Sequence, residues 1–435
     1  MVKQEIKPES FLPAFLYSYI FIPALYTVYL IISFFDEKAR RGLKGRRNLF
    51  AALESALSNM PDDNRVWFHA SSLGEFEQAK PIIEILKKAG YRIVVSFFSP
   101  SGYEYSRNYP GADVVTYLPL DTRRNARRFV AMVKPKVAVV MRYDLWPNHL
   151  EEARRSGTKI ILADATFPMK LYQRTKFLRH FYRRLYKLPH AILATTPVHK
   201  KMFDFFLGND LTSVAGDTRF DRVYNKSLSN DMTQKLPFSI DKSQRTVLLL
   251  GSTWHQDVEV LSGAVSRIIR EFPSLAVIVV PHEPTTDEVG RLKNDFPAAK
   301  ILSEMNGNGD EELSMLIVDR VGLLTQLYII ADVAYVGGGF GAGVHSVLEP
   351  AVYGIPIITG PRIERSDEAA QLLQTGALFF VKDAAGAYKV LLKMIEDVGA
   401  RREAGRIAKV FVDQHLGASA AVAEKVVQFC NEKKV

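Results

Sequence analysis

Apolar residues along this chain gather in short, nearly unbroken runs, and longer amphipathic stretches separate the runs. In the first half the runs are Val66–Ala70, Tyr91–Phe98, Val137–Met141, Lys159–Ala163 and Ala191–Thr195. Runs of this length without strict alternation predict strands buried on both faces. The stretch from about Glu75 to Lys88 has helical periodicity, and Gly90 ends it. A polar segment around Pro237 follows, and then the pattern resumes. Thr246–Leu250, Leu275–Val280, Ser314–Val318, the residues up to Val336, and Ile355–Thr359 predict strands, and Gly417–Phe429 predicts a closing helix. Strands alternating with helices predict an α/β fold with mostly parallel sheets, in two Rossmann-like domains. The boundaries read from the pattern are 48–225 and 245–412, with a linker over 226–244 and a C-terminal helix within 413–435.

The amino terminus breaks this pattern. Ser10 to Phe35 holds no charged residue, and Lys38, Arg40, Arg41, Lys44, Arg46 and Arg47 follow at once. As a helix this run would extend about 39 Å, against roughly 30 Å of bilayer hydrocarbon. Residues 1–47 therefore read as a membrane anchor with a basic flank, which favours a cytoplasmic location for the chain beyond it. A helix lying in one leaflet and a buried helical hairpin are the alternatives. The run is too long for a cleaved signal peptide, and its charges lie on the wrong side.

Composition adds two constraints. The single cysteine, Cys430, excludes an internal disulfide framework and a cysteine-rich zinc site. Net charge is +10 with a pI near 9.4, which points to an anionic partner. No aromatic-interleaved nucleic-acid module is recognisable, so a membrane surface or a phosphorylated substrate fits better than nucleic acid.

The richest stretch is Tyr335–Pro361, YVGGGFGAGVHSVLEPAVYGIPIITGP. It reads as strand, glycine loop, helix and strand, a βαβ unit whose glycines let backbone approach an anionic ligand. Glu349 in the predicted helix is placed to accept hydrogen bonds from a ribose diol. The other reading is a turn that only packs a helix on a sheet. Gly337, Gly339 and Ala342 fit the dinucleotide fingerprint loosely, but no acidic residue stands about twenty positions on. A nucleotide-sugar site fits better. Gly251, Ser252 and Thr253 form a second small-residue loop after a strand. No Walker lysine loop, H-E-x-x-H or Asp-x-Asp pair occurs.

Ligands of parallel sheets gather at the carboxyl ends of strands, where Glu75, Asp144 and Asp164 stand. Glu75 is either a general base, its pKa lowered by the helix dipole, or a first-turn capping carboxylate. Asp144 and Asp164 are either site residues or turn formers. Arg219 either meets a leaving phosphate or is a surface arginine. The helix predicted over Lys176–Leu188 and the cluster Arg123, Arg124, Arg127 and Arg128 are either solvated faces or faces for anionic lipid.

Taken in order, KGRRN (44–48), HASSLGE (69–75), MRYDLWPN (141–148), GDTRFD (216–221), GSTW (251–254), VPHEP (280–284) and VGGGFGAGVHSVLEPAVYGIP (336–356) resemble the 3-deoxy-D-manno-octulosonic acid (Kdo) transferases of lipopolysaccharide biosynthesis. The resemblance spans nearly the whole chain. It implies a GT-B glycosyltransferase with two domains facing a cleft, the donor CMP-Kdo, and a lipid A precursor (lipid IVA) as acceptor. It implies inversion, with no metal and no cofactor, at the cytoplasmic face of an inner membrane. It places the general base on Glu75 and transition-state stabilisers on Asp144 and Arg219. Donor contacts fall on Gly251, Ser252, Pro281, His282, Val321, Gly322, Leu323, Gly338, Gly339, His345, Ser346, Val347, Leu348 and Glu349. Acceptor contacts fall on Ser71, Ser72, Gly74 and Arg123.

The chain departs from the family's usual pattern at four places. Arg142 and Asp144 replace two glutamates, His282-Glu283 replaces Arg-His, Leu323 replaces Glu, and Ser346 replaces Asn. These changes bear on the CMP contacts more than on the reaction. Two other functions fit the same pattern. One is a GT-B transferase using a UDP-sugar on another lipid, and the other is an inactive nucleotide-sugar-binding membrane protein, which Arg142 and Leu323 favour.

Overall fold

The structure, a computed structural model, describes residues 15–61, 63–208, 211–229, 236–238, 240–305 and 313–432. The chain divides into two compact units, residues 1–222 with 416–435, and residues 223–415. Part of the segment read as a linker, 230–235 and 239, lies outside the described residues.

The first unit is built on seven strands: β1 (Arg65–Ala70), β2 (Arg92–Phe97), β3 (Val114–Tyr117), β4 (Val137–Met141), β5 (Lys159–Ala165), β6 (Ala191–Ala194) and β7 (Thr212–Val214). They pair in the order β3-β2-β1-β4-β5-β6-β7, every pair parallel. The central strands are buried on both sides, so alternate residues feed two cores. Trp67, Val94, Val140 and Ile160 face one. Val66, Phe68, Ile93, Val95 and Val139 face the other. The helix Ala418–Asn431 returns to close this second core with Val422, Ala423, Val426, Phe429 and Cys430. Its first turn is held by Asp221, whose carboxylate accepts from the backbone N–H of Gly417 at 2.7 Å and of Ser419 at 2.6 Å.

The second unit repeats the plan with β8 (Thr246–Thr253), β9 (Leu275–Pro281), β10 (Lys300–Ile301), β11 (Met315–Ile317), β12 (Val333–Val336), β13 (Ile357–Thr359) and β14 (Leu378–Phe380). Their order is β10-β11-β9-β8-β12-β13-β14, again with every pair parallel. The expected α/β architecture with two parallel sheets is therefore present.

The amino terminus differs from the expected anchor. A π-helical turn, Tyr17–Phe21, leads into an α-helix, Ile22–Ile32. No helix among the described residues is long and apolar enough to cross a membrane. Sixteen helical residues extend only about 24 Å. Residues 10–14 of the apolar run lie outside the described residues. One face of this helix is tied to the first unit. Tyr17 Oη donates to Asp121 at 2.8 Å, and Ser18 Oγ donates to Asn148 at 2.8 Å, with Ile22 buried beside them. Burying hydroxyls without partners would be costly, so these bonds fix which face turns inward. Part of the basic flank also turns inward. The Arg46 guanidinium lies over the rings of Phe98 and Tyr117 and donates to the carbonyls of Phe98 and Leu118.

Candidate active site

In the first unit the carboxyl ends of β1 and β4 bring together the two motifs HASSLGE and MRYDLWPN. Ser72 caps the helix Leu73–Lys88, its Oγ accepting from the N–H of Glu75 at 3.4 Å. Glu75 therefore sits in the first turn, and its Oε2 accepts from the backbone N–H of Ser71 at 2.6 Å. The side chain braces the loop and is itself buried. Its pKa is raised, not lowered as the helix dipole suggests. Burial is the largest cause. The Ser71 N–H opposes it, Asp144 adds to it, and His69 and Arg142 pull the other way. Desolvation of the buried carboxylate outweighs the dipole.

Asp144 has the opposite setting. Burial works to raise its pKa, but hydrogen bonds hold it below the usual carboxylate range. His69 Nε2 meets its Oδ2 at 2.8 Å and Trp146 Nε1 donates to the same oxygen at 3.0 Å. Indole can only donate, so Trp67 Nε1 donates to Ser96 Oγ at 2.8 Å. His69 Nδ1 lies 2.9 Å from Ser96 Oγ and 3.1 Å from the Ser96 carbonyl oxygen, while its Nε2 faces Asp144. A carboxylate held ionised thus stands beside one that burial makes basic, the kind of contrast that separates acid–base roles.

Arg219 lies in a neighbouring group at the end of β5. Its Nε and Nη2 donate to Asp217 at 2.9 and 2.7 Å. Asp164, fully enclosed, accepts from both the backbone N–H and the hydroxyl of Thr218. Burial and the nearby Asp217 push its pKa up to about 7 against the pull of Thr218 and Arg142. The two groups are joined through Gln78. With its amide oriented to suit both neighbours, Gln78 donates to Asp164 at 3.2 Å and accepts from Arg142 Nη1 at 3.2 Å. Arg142 at φ 61° and Asp164 at φ 51° are both left-handed. Strained non-glycine residues at strand ends are a mark of functional loops. Arg123 lies elsewhere, over the ring of Tyr19 on the N-terminal helix.

In the second unit the glycine loop behaves differently from its reading. The helix after it spans only Leu348–Val352, shorter than expected. A Cβ on Gly337 would lie 2.1 Å from Ser252 O, and one on Gly339 would lie 2.5 Å from Gly360 N. These two glycines are needed for backbone to pack on backbone between adjoining strand ends. Asp257, buried, braces the loop, accepting from Gly338 N–H at 2.8 Å, Trp254 N–H at 2.9 Å and Tyr335 Oη at 2.8 Å. Val347 and Leu348 point into the core, leaving only their backbone for a ligand. Glu349 acts on the buried Tyr328, and it is one of the groups that raise the phenol's pKa. Ser252 is left-handed at φ 52°. Gly322 is also in the positive region, and Val321 beside it is exposed. Next to the loop the rings of Trp254 and His345 lie side by side, joined by Nε1 donating to Nε2 at 2.7 Å, and His282 stacks over both.

The sequence reading missed His69, Gln78, Asp217, Trp146, Trp254 and Asp257. His69, Trp146, Asp217 and Trp254 lie inside motifs already singled out, so polar atoms beside a candidate residue were the available signal. Trp254 meets His345 across 91 positions, for which the pattern holds no cue.

Residues 41–222 match the family model for 3-deoxy-D-manno-octulosonic-acid transferase (kdotransferase). The chain is 29% identical over 389 residues to the 3-deoxy-D-manno-octulosonic acid transferase of Chlamydophila psittaci, covering 85% of this chain and 82% of that protein. It is 28% identical over 344 residues to the enzyme of the same name from Aquifex aeolicus, covering 78% and 87%. Among solved structures, UDP-GlcNAc 2-epimerase from Neisseria meningitidis shares the fold, with a TM-score of 0.62 at 13% identity over 84% of this chain and 100% of that one. Motif order, two parallel seven-stranded units and relatives that span most of its length make the chain similar, over nearly all of it, to the Kdo transferases, a glycosyltransferase family, on a GT-B-like fold.

Proposed function

We propose that this protein transfers Kdo from CMP-Kdo to the phosphorylated, acylated glucosamine disaccharide of a lipid A precursor, lipid IVA, with inversion. The observation that carries the reading is the pair Glu75 and Asp144, one carboxylate made basic by burial and the other kept ionised by His69 and Trp146. With Oε2 engaged by Ser71, the second oxygen of Glu75 takes the proton from an acceptor hydroxyl. The new C–O bond forms at the anomeric carbon as the bond to the CMP oxygen breaks, and CMP departs with the electron pair. Ionised Asp144 favours positive charge developing on the sugar, and Arg219 meets negative charge developing on the phosphate. The leaving phosphate is thus met by protein groups rather than by a metal. Ser71, Ser72 and Gly74 line the same loop for the acceptor.

The N-terminal helix suits an acceptor held in a membrane. Away from its docked face it exposes Tyr19, Ile20, Phe21, Val28, Ile31 and Ile32, and the turn after it exposes Phe34 at 76% and Phe35 at 87%. An apolar face of this kind on a docked helix, followed by Lys38, Arg40 and Arg41, fits a helix lying in one leaflet of the inner membrane with the two units on the cytoplasmic side. The test is turnover of CMP-Kdo with lipid IVA, with products weighed by mass spectrometry. A product heavier by one or more Kdo residues supports the reading. No transfer from CMP-Kdo, together with transfer from a UDP-sugar, overturns it.

A further inference from the structure

The loop that carries Asp144 runs from the end of β4 to the helix Pro147–Arg155 and has no regular structure over 144–146. The start of that helix has no cap of its own. The side chain of Trp146, at the N-cap, can only donate, and Pro147 has no N–H. The next two N–H groups are met from outside. Asp121, only 1% exposed, accepts from Asn148 N–H at 3.1 Å and from His149 N–H at 2.9 Å. Its Oδ1 also meets His149 Nδ1 at 2.5 Å, and its Oδ2 takes the Tyr17 hydroxyl at 2.8 Å. A carboxylate offers about four acceptor directions, and Tyr17 fills the last of them. Burial and then Asp121 raise the pKa of the Tyr17 phenol, with Asp144 adding to them, so the hydroxyl keeps its proton to donate. Ser18 makes a second tie, donating to Asn148 Oδ1 at 2.8 Å. A further contact comes from later in the same N-terminal segment. The ring of Phe98 stacks on Trp146 at 4.8 Å and is packed in turn by Tyr29 and by the Arg46 guanidinium. Trp146 stands between these ties and donates from Nε1 to Asp144 at 3.0 Å.

We propose that Tyr17 is a positioning residue for the transfer step: its hydroxyl completes the Asp121 cap on the helix Pro147–Arg155, and that cap sets the place of Trp146 and, through it, of the Asp144 carboxylate. This rests on the reading of Asp144 as the group that favours positive charge developing on the sugar. The helix that turns Ile20, Ile31 and Ile32 outward thus supplies, from its docked face, a part of the active site's frame. Without the hydroxyl, Asp121 still holds three donors, so the fold is kept. Its Oδ2 then holds only the Asn148 N–H, and the helix start is less firmly placed. Electrostatic stabilisation of a transition state depends on groups fixed before the reaction begins. Small displacements of such groups lower the rate of the chemical step more than they weaken binding.

Tyr17→Phe keeps the ring and its contact with Phe181 and removes only the hydroxyl. In the full-length chain, assayed with CMP-Kdo and lipid IVA, kcat should fall on the order of tenfold, while the KM for each substrate stays as in wild type. Tyr26→Phe, a change to an exposed ring of the same helix, should behave as wild type. In an Asp144→Asn background, Tyr17→Phe should take nothing more from the residual rate, because the group it positions is already gone. The indole N–H resonance of Trp146, assigned by its absence in Trp146→Phe, should move in Tyr17→Phe and stay in place in Tyr26→Phe. A wild-type kcat for Tyr17→Phe, a full second loss in the Asp144→Asn background, or an unmoved Trp146 resonance overturns the proposal. The resonance is read without substrate, so it decides the positioning claim even where the wild type transfers nothing from CMP-Kdo, a result that overturns the transfer reading instead.

Discussion

Replacing Glu75 by Gln should separate catalysis from stability, and the structure says in which direction each moves. The amide oxygen of Gln can still accept from Ser71 N–H, so the loop and the Ser72 cap are kept. The basic oxygen is lost. General-base catalysis contributes about 10²–10⁴-fold, so transfer should fall by that factor, or roughly 3–5 kcal/mol of barrier. Stability should not fall with it. The folded state raises the pKa of Glu75, so the stability this group contributes is complete below the unfolded pKa and is lost as pH rises through the folded one. At pH 8 the ionised side chain is a burden that Gln removes, along with its repulsion from Asp144. The variant should therefore melt no lower than wild type at pH 8, and its advantage should vanish at acid pH. The assays are initial rates with lipid IVA and thermal melts at pH 5 and 8. The wild-type rate should rise with pH through a range above that of an ordinary glutamate. Activity within tenfold of wild type, or a melt several degrees lower at pH 8, would refute the assignment.

Four further outcomes follow from other parts of the structure. Trp146→Phe keeps the stack on Phe98 but removes one of the donors to Asp144, and transfer should drop about 5- to 30-fold with CMP affinity unchanged by calorimetry. Asp164, with its pKa pushed up to about 7, stabilises the fold below the unfolded carboxylate range and loses that contribution as pH rises through 7. Asp164→Asn should flatten the decline of melting temperature between pH 6 and 8. Asp221→Ala leaves the start of the Ala418–Asn431 helix without its acceptor and should cost about 1–2 kcal/mol in denaturant unfolding of the first unit. Changing Ile31, Phe34 and Phe35 together to Ser should reduce flotation with anionic vesicles at least severalfold while leaving CMP affinity intact.

How far the sequence alone reaches depends on whether a feature is local. β1 and β4 were legible because a parallel strand buried on both faces reads as an unbroken apolar run, VWFHA or VAVVM. β3, β7, β10 and β14 were not, since edge strands of two to four residues such as TSV or KI carry too little pattern to stand out. The C-terminal helix was visible, but not the sheet it covers. Glu75 shows the deeper limit. Its place in the first turn is local and was read correctly. Its proton affinity was read from the helix dipole, a local influence, and burial, with Asp144 from far along the chain adding to it, outweighs it. The glycines teach the same lesson from the other side. Gly337 and Gly339 signalled close approach, but what approaches is the backbone of Ser252 and Gly360. A spacing states that something must come near, and only the packed sheet decides whether that is a ligand or the next strand. For this reason the parts of the site that depend on tertiary contact, the bond between His69 and Asp144 and the bond between Trp254 and His345, are where substitution will be most informative.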